Sequence, residues 1–210
     1  RLLNPVFSDM NEVDRDISSL IFSGLMRYSP KDEAVIQDMA DLKVSEDKKT
    51  YTFTLKPHIK WHDGEDLTAS DVYFTFHDVI QSPDFGNPLL MANFDGVLVK
   101  QIDDQVIEFS LEKPNSFFIA NVTTGILPKH ILGEVPVSEL MVNDFNFEPV
   151  GSGPYRVSGK FKTYSNGQTS VSLKRFKDYY GENSELSELK IVAYPSVEHM
   201  VDNRNNLSVL

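Results

Sequence analysis

The chain has 210 residues, 20 basic and 31 acidic, for a formal net charge of -11, and 40% of it is hydrophobic. That length fits one large domain or two small ones, the hydrophobic share is too high for a disordered chain, and no apolar run is long enough to span a membrane. The acidity argues against nucleic acid as a partner, because phosphate binding needs a basic face, and the lack of cysteine excludes disulfide frameworks, cysteine nucleophiles and zinc–cysteine sites.

Asn4-Pro5 predicts an extended or looped start, since the residue before proline is pushed out of the helical region. Val13, Ile17, Leu20, Ile21 and Leu25 then follow helical spacing, which places an amphipathic helix from near Asn11, stopped by Gly24 and Pro30. Residues 50–55 alternate β-branched or aromatic with apolar side chains and form the clearest strand; Ile59 and Trp61 suit a short return strand before the Asp63-Gly64 turn. Thr68 and Asp71 have capping-box spacing, and behind them Ala69, Val72, Tyr73, Phe76, Val79 and Ile80 predict a helix to about Gln81.

Residues 97–102 and 105–111 read as a hairpin with a polar turn. Short helices are expected at 117–122 and 129–132, the second ended by Gly133. Gly151-Ser152-Gly153-Pro154 is strong backbone punctuation; strands at 155–161 and 170–176 follow, joined by a turn at 165–167. A last strand at 189–193 precedes a helix capped by Ser196. Strands and helices are mixed, so the fold class is α/β, or mixed α+β.

His58, His62, Asp63, Glu65 and Asp66 lie within nine residues and suit a metal by type, but no metal-ligand motif is present and solvated turn residues are the reading adopted. No P-loop, G-x-G-x-x-G or G-x-S-x-G occurs, and no Ser–His–Asp set stands in a recognisable setting, so no catalytic residue, metal or cofactor is assigned. Trp61, Tyr28, Phe85, Phe94, Tyr155, Tyr179 and Tyr180 sit in or beside Gly/Pro-rich segments, where aromatics either line a ligand cleft or close a core.

One string is more specific. Tyr51-Thr52-Phe53-Thr54-Leu55, followed by Trp61-His62-Asp63-Gly64 and Leu67-Thr68-Ala69-Ser70-Asp71-Val72, resembles the signature of the bacterial extracellular solute-binding proteins for peptides and nickel, which feed ABC importers. Asn4-Pro5, the 21–25 segment, Leu127-Pro128-Lys129-His130, Val150-Gly151-Ser152-Gly153-Pro154-Tyr155 and the 176–181 segment match the same family in order.

The resemblance implies a periplasmic-binding-protein-like fold in which 1–29 begins lobe one, 30–149 is an inserted small domain, and 150–210 returns to lobe one, the second lobe lying outside this sequence. It implies a non-catalytic, monomeric protein outside the cytoplasm, in the periplasm or as a surface lipoprotein, that takes a peptide or small solute and meets an ABC permease. Asp9, Met10 and Asn11 map to the segment whose backbone pairs with a bound peptide, and Phe85 and Phe94 to pocket aromatics. A peptide receptor or chaperone-like module outside transport is the alternative on the same scaffold; neighbouring permease and ATPase genes would separate the two.

Overall fold

A computed structural model describes residues 2–8, 11–182 and 184–203. Helix α1, Glu12–Ile21, opens on Asn11, whose side chain accepts from the Asp14 amide. Its buried face is Asp14, Ile17, Ser18 and Ile21, whereas Val13, expected on that face, is exposed. Asp14 takes the apolar position because it accepts from the Leu2 amide at 3.0 Å and so ties the N-terminal segment to the helix.

Strands β1 (Met26–Tyr28) and β2 (Val35–Gln37) form a small antiparallel pair. The larger sheet contains β3 (Ala40–Val44), β4 (Thr50–Leu55), β5 (Val97–Gln101) and β6 (Val106–Leu111), all antiparallel, in the order β3-β4-β6-β5. Tyr51, Phe53 and Leu55 point inward from β4, and Ile107 and Phe109 from β6, the period of two that half-burial demands. Phe53 meets Phe109 edge-on at 5.8 Å, and Phe109 meets Phe76 edge-on at 5.3 Å.

Phe76 belongs to the helix that crosses this sheet. It starts as α2, Ala69–Tyr73, and widens into a π-helix over Phe74–Ile80. Thr68 and Asp71 make the expected capping box, with Thr68 N donating to Asp71 Oδ2 at 2.9 Å. The widening was not legible. Thr75 Oγ1 donates to the Asp71 carbonyl at 2.8 Å and accepts from Leu127 N at 2.9 Å, and a hydroxyl competing for the i-4 acceptor loosens a helix. Thr68→Ala is expected to lower stability by about 1 kcal/mol in urea unfolding, the typical worth of such a cap.

Three short helices follow: α3 (Pro88–Ala92), α4 (Phe118–Asn121) and α5 (Lys129–Leu132). The last sheet holds β7 (Tyr155–Val157), β8 (Lys162–Thr163), β9 (Thr169–Arg175) and β10 (Glu188–Ala193), with β9 central. The strand expected over 155–161 stops at Val157 because Gly159, at φ 82°, takes the left-handed region and turns the chain. Helix α6, Val197–Asp202, is capped by Ser196 as expected but buries no residue.

Candidate ligand cleft

The N-terminal segment is held by side-chain amides. Asn4 Nδ2 donates to Asn146 Oδ1 at 3.1 Å, Asn4 Oδ1 accepts from Val6 N, and Asn87 Nδ2 donates to the Val6 carbonyl at 3.0 Å. Both Asn4 and Asn146 are fully buried, so these bonds satisfy groups that water cannot reach. Pro5 and Ser8 of this segment stand at the edge of a cleft of about 1540 Å³.

The floor of the cleft is two backbone runs lying side by side. Met26 N donates to the Val122 carbonyl and Ile126 N to the Ser23 carbonyl. A Cβ on Gly24 would fall 2.6 Å from the Thr123 carbonyl oxygen, and one on Gly125 would fall 2.6 Å from Phe22 Cβ. Glycine at both places allows the approach. α1 supplies one wall through Arg15, Asp16 and Ser18, and Tyr179, Tyr180, Gly181, Glu182 and Ser184 supply another.

A charged cluster lies on the lining. Asp38 is buried, and its carboxylate stands 3.7 Å from Arg27 Nε. Burial lifts the Asp38 carboxyl above its ordinary range, against the pull of Tyr180, Arg27 and Lys56. The Tyr180 hydroxyl is pushed up by burial and then by the Asp38 charge. Lys56 Nζ lies over the Tyr180 ring, 5.6 Å from its centroid.

Beside the cleft, a buried histidine joins the two signature segments. His62 Nδ1 accepts from Gly151 N at 3.1 Å, its Nε2 donates to the Gly153 carbonyl at 3.0 Å, and its own amide donates to the Gly151 carbonyl. These partners fix a neutral ring with the proton on Nε2. Desolvation lowers its pKa to about 4. The expectation of solvated turn residues therefore fails for His62, because the ring is needed inside. Asp63 accepts from half-exposed His130 at 2.8 Å, and Lys60 pairs with Asp66 at 2.6 Å. Among the described residues no group of three or more metal-ligating side chains converges.

Of the expected ligand residues, Asp9 and Met10 lie outside the described residues, and Asn11 caps α1 at an exposed position. Phe85 and Phe94 are placed in the core, not on the cleft wall. Phe85 packs on Phe7 at 5.3 Å, and Phe94 on Phe76 at 5.0 Å, both nearly inaccessible. The residues of that stretch on the lining are Leu90 and Asn93. The other loop aromatics divide: Tyr28, Tyr155, Tyr179 and Tyr180 line the cleft, whereas Trp61 is fully buried. Arg27, Asp38 and Lys56 were missed, since a charged residue within a short strand or just after one reads as solvated from sequence.

The model for "Bacterial extracellular solute-binding proteins, family 5 Middle" matches residues 34–206. The chain belongs to this family. It is 33% identical over 207 residues to the oligopeptide-binding protein AppA of Bacillus subtilis, covering 95% of this chain and 36% of that relative. The solved structure of AppA from Bacillus subtilis in complex with a nonapeptide superposes with a TM-score of 0.84 at 30% identity, covering 98% of this chain and 40% of that one. NikZ from Campylobacter jejuni, in complex with Ni(L-His), gives a TM-score of 0.82 at 26% identity, over 98% of this chain and 39% of that one. The family 5 chain described here thus spans about two fifths of the length of these relatives, in a mixed α/β, periplasmic-binding-protein-like fold. No helix among its described residues is long and apolar enough to cross a membrane.

Proposed function

We propose that this chain supplies one side of the ligand cleft in the substrate-binding component of an ABC importer, which encloses a peptide between two lobes and hands it to a membrane permease outside the cytoplasm. The observation that carries this reading is the 33% identity to an oligopeptide-binding protein over 95% of the chain, with the open cleft falling beside the N-terminal segment. The role is binding without chemistry.

In this reading residues 1–29 and 150–210 belong to lobe one. The contact of Gly153 N with the Ile21 carbonyl at 2.8 Å supports their union. The four-stranded sheet, all within 40–111, is the centre of the inserted domain 30–149, although β2 and the 122–126 run pack back against lobe one. Asp9, Met10 and Asn11 pair with the peptide through main-chain groups, which every peptide presents alike, so side-chain sequence is left open.

The full-length protein, as a monomer, is expected to be stabilised by peptide through mass action, by about 2.7 kcal/mol at a hundredfold excess over Kd. A thermal shift with a mixed peptide pool checks this, and no shift with any peptide would refute it. The 210 residues alone are expected to bind weakly or not at all. Nanomolar binding by them would refute the divided site.

A further inference from the structure

The cleft lining carries three cations, Arg15, Arg27 and Lys56, and three acids, Asp16, Asp38 and Glu182, and they differ in how they are paired. Arg15 is paired with Glu12 at 3.8 Å and Asp16 at 3.7 Å, and Arg27 with Asp38 at 3.7 Å. Lys56 has no such partner: it forms no ion pair with any described residue, and its ammonium rests on the face of Tyr180. Two cations, Arg27 and Lys56, act on the single carboxylate of Asp38. The remaining acid of the lining, Glu182, is exposed and forms no ion pair with the described residues.

We propose that Lys56, with Arg27 beside Asp38, forms a carboxylate subsite on the cleft wall and selects ligands that bring an acidic group to it. This rests on the peptide-binding reading above and names what that site prefers. An unpaired cation is tolerated while water reaches it. Once a ligand covers the wall, the ammonium loses hydration, and an anion placed against it replaces what is lost. Arg15 and Arg27 are already ion-paired, so the lining cation left for a ligand is Lys56. Tyr180 underneath holds the ammonium in place through the negative face of its ring. The carboxylate can come from the peptide C-terminus or from an Asp or Glu side chain; both present the same two oxygens to an ammonium.

The test uses the full-length protein and calorimetry with four alanine-based pentapeptides, carrying glutamate or glutamine and ending in an acid or an amide. The wild-type protein is expected to bind one acidic form roughly tenfold more tightly than its neutral counterpart. Lys56→Met should bring that ratio to about one, and Lys56→Arg should retain it. A ratio confined to the glutamate/glutamine pair assigns the side chain, and one confined to the acid/amide pair assigns the C-terminus. A wild-type ratio near one, or a ratio that survives Lys56→Met, overturns the subsite while leaving peptide binding intact. Binding of none of the four, with no thermal shift from the mixed pool, overturns the peptide reading and the subsite with it. Arg27 is left unaltered, because its loss strands a buried Asp38 without its ion pair.

Discussion

Gly151→Ala is expected to unfold the protein or to destabilise it by about 3 kcal/mol or more, the upper end of what overpacking costs. A Cβ there would lie 2.0 Å from the Ile21 carbonyl oxygen and 2.8 Å from its carbon. Both are backbone atoms at the end of α1, so no rotamer change relieves the clash. Gly151 is also pinned from its other side, since its amide donates to His62 and its carbonyl accepts from the His62 amide. Gly153 is as tight, with a Cβ 2.6 Å from Ile21 C and 2.7 Å from the Leu20 carbonyl. Neither glycine has a positive φ. The pair therefore supplies absence of bulk, not backbone freedom. Gly159→Ala is the control. Gly159 sits at φ 82° with nothing near its missing Cβ, so only conformational strain is added, about 1 kcal/mol. Urea midpoints of the two variants read the difference; a Gly151→Ala midpoint no lower than that of Gly159→Ala would refute the close packing of α1 on this segment.

The second large effect centres on His62. His62→Ala leaves the Gly151 amide and the Gly153 carbonyl buried without their partners and opens space beside Phe176, whose ring meets the imidazole edge-on at 4.9 Å. Each lost partner costs about 1–3 kcal/mol, so a loss of about 3 kcal/mol or more is expected. The same histidine makes stability depend on pH. Its pKa falls from 6.5 to about 4 because burial disfavours the charged ring. Below pH 6.5 the unfolded chain therefore binds a proton that the folded chain refuses. The stabilisation is full above that pH and is lost as pH falls toward 4, amounting to about 3 kcal/mol across the window. Asp38 and Asp71, whose carboxyls burial raises, work with the opposite sign and recover stability as pH falls. The difference between wild type and His62→Gln isolates the histidine. That difference should shrink from pH 7 to pH 4, and a constant difference would place the ring in water.

Legibility followed the density of local signal. Strand β4, the Thr68 capping box and α5 were readable, because alternation, a hydroxyl cap and a Pro–Gly bracket each act within a few residues. Strands β1 and β2 were not, since three residues carry no period and β1 is held from outside by the bond of Met26 N to the Val122 carbonyl. The break at Gly159 was missed because a glycine within a strand pattern signals a turn only if its φ is known. In the cleft, Tyr28, Tyr155, Tyr179 and Tyr180 were visible as loop aromatics, but Phe85 and Phe94 carried the same signal and lie in the core. Asp38 was invisible for a different reason. Arg27, Lys56 and Tyr180, the groups that act on its carboxyl, come together with it only in three dimensions.

The central claim is that this cleft is one wall of a peptide site, and hydrogen exchange on the full-length protein tests it most directly. With saturating peptide, the segments at 5–11, 23–28, 120–125 and 179–184 should slow together, while the β3-β4-β6-β5 sheet stays as it was. Peptide bound at saturation with no protection in any of those four segments would contradict the account.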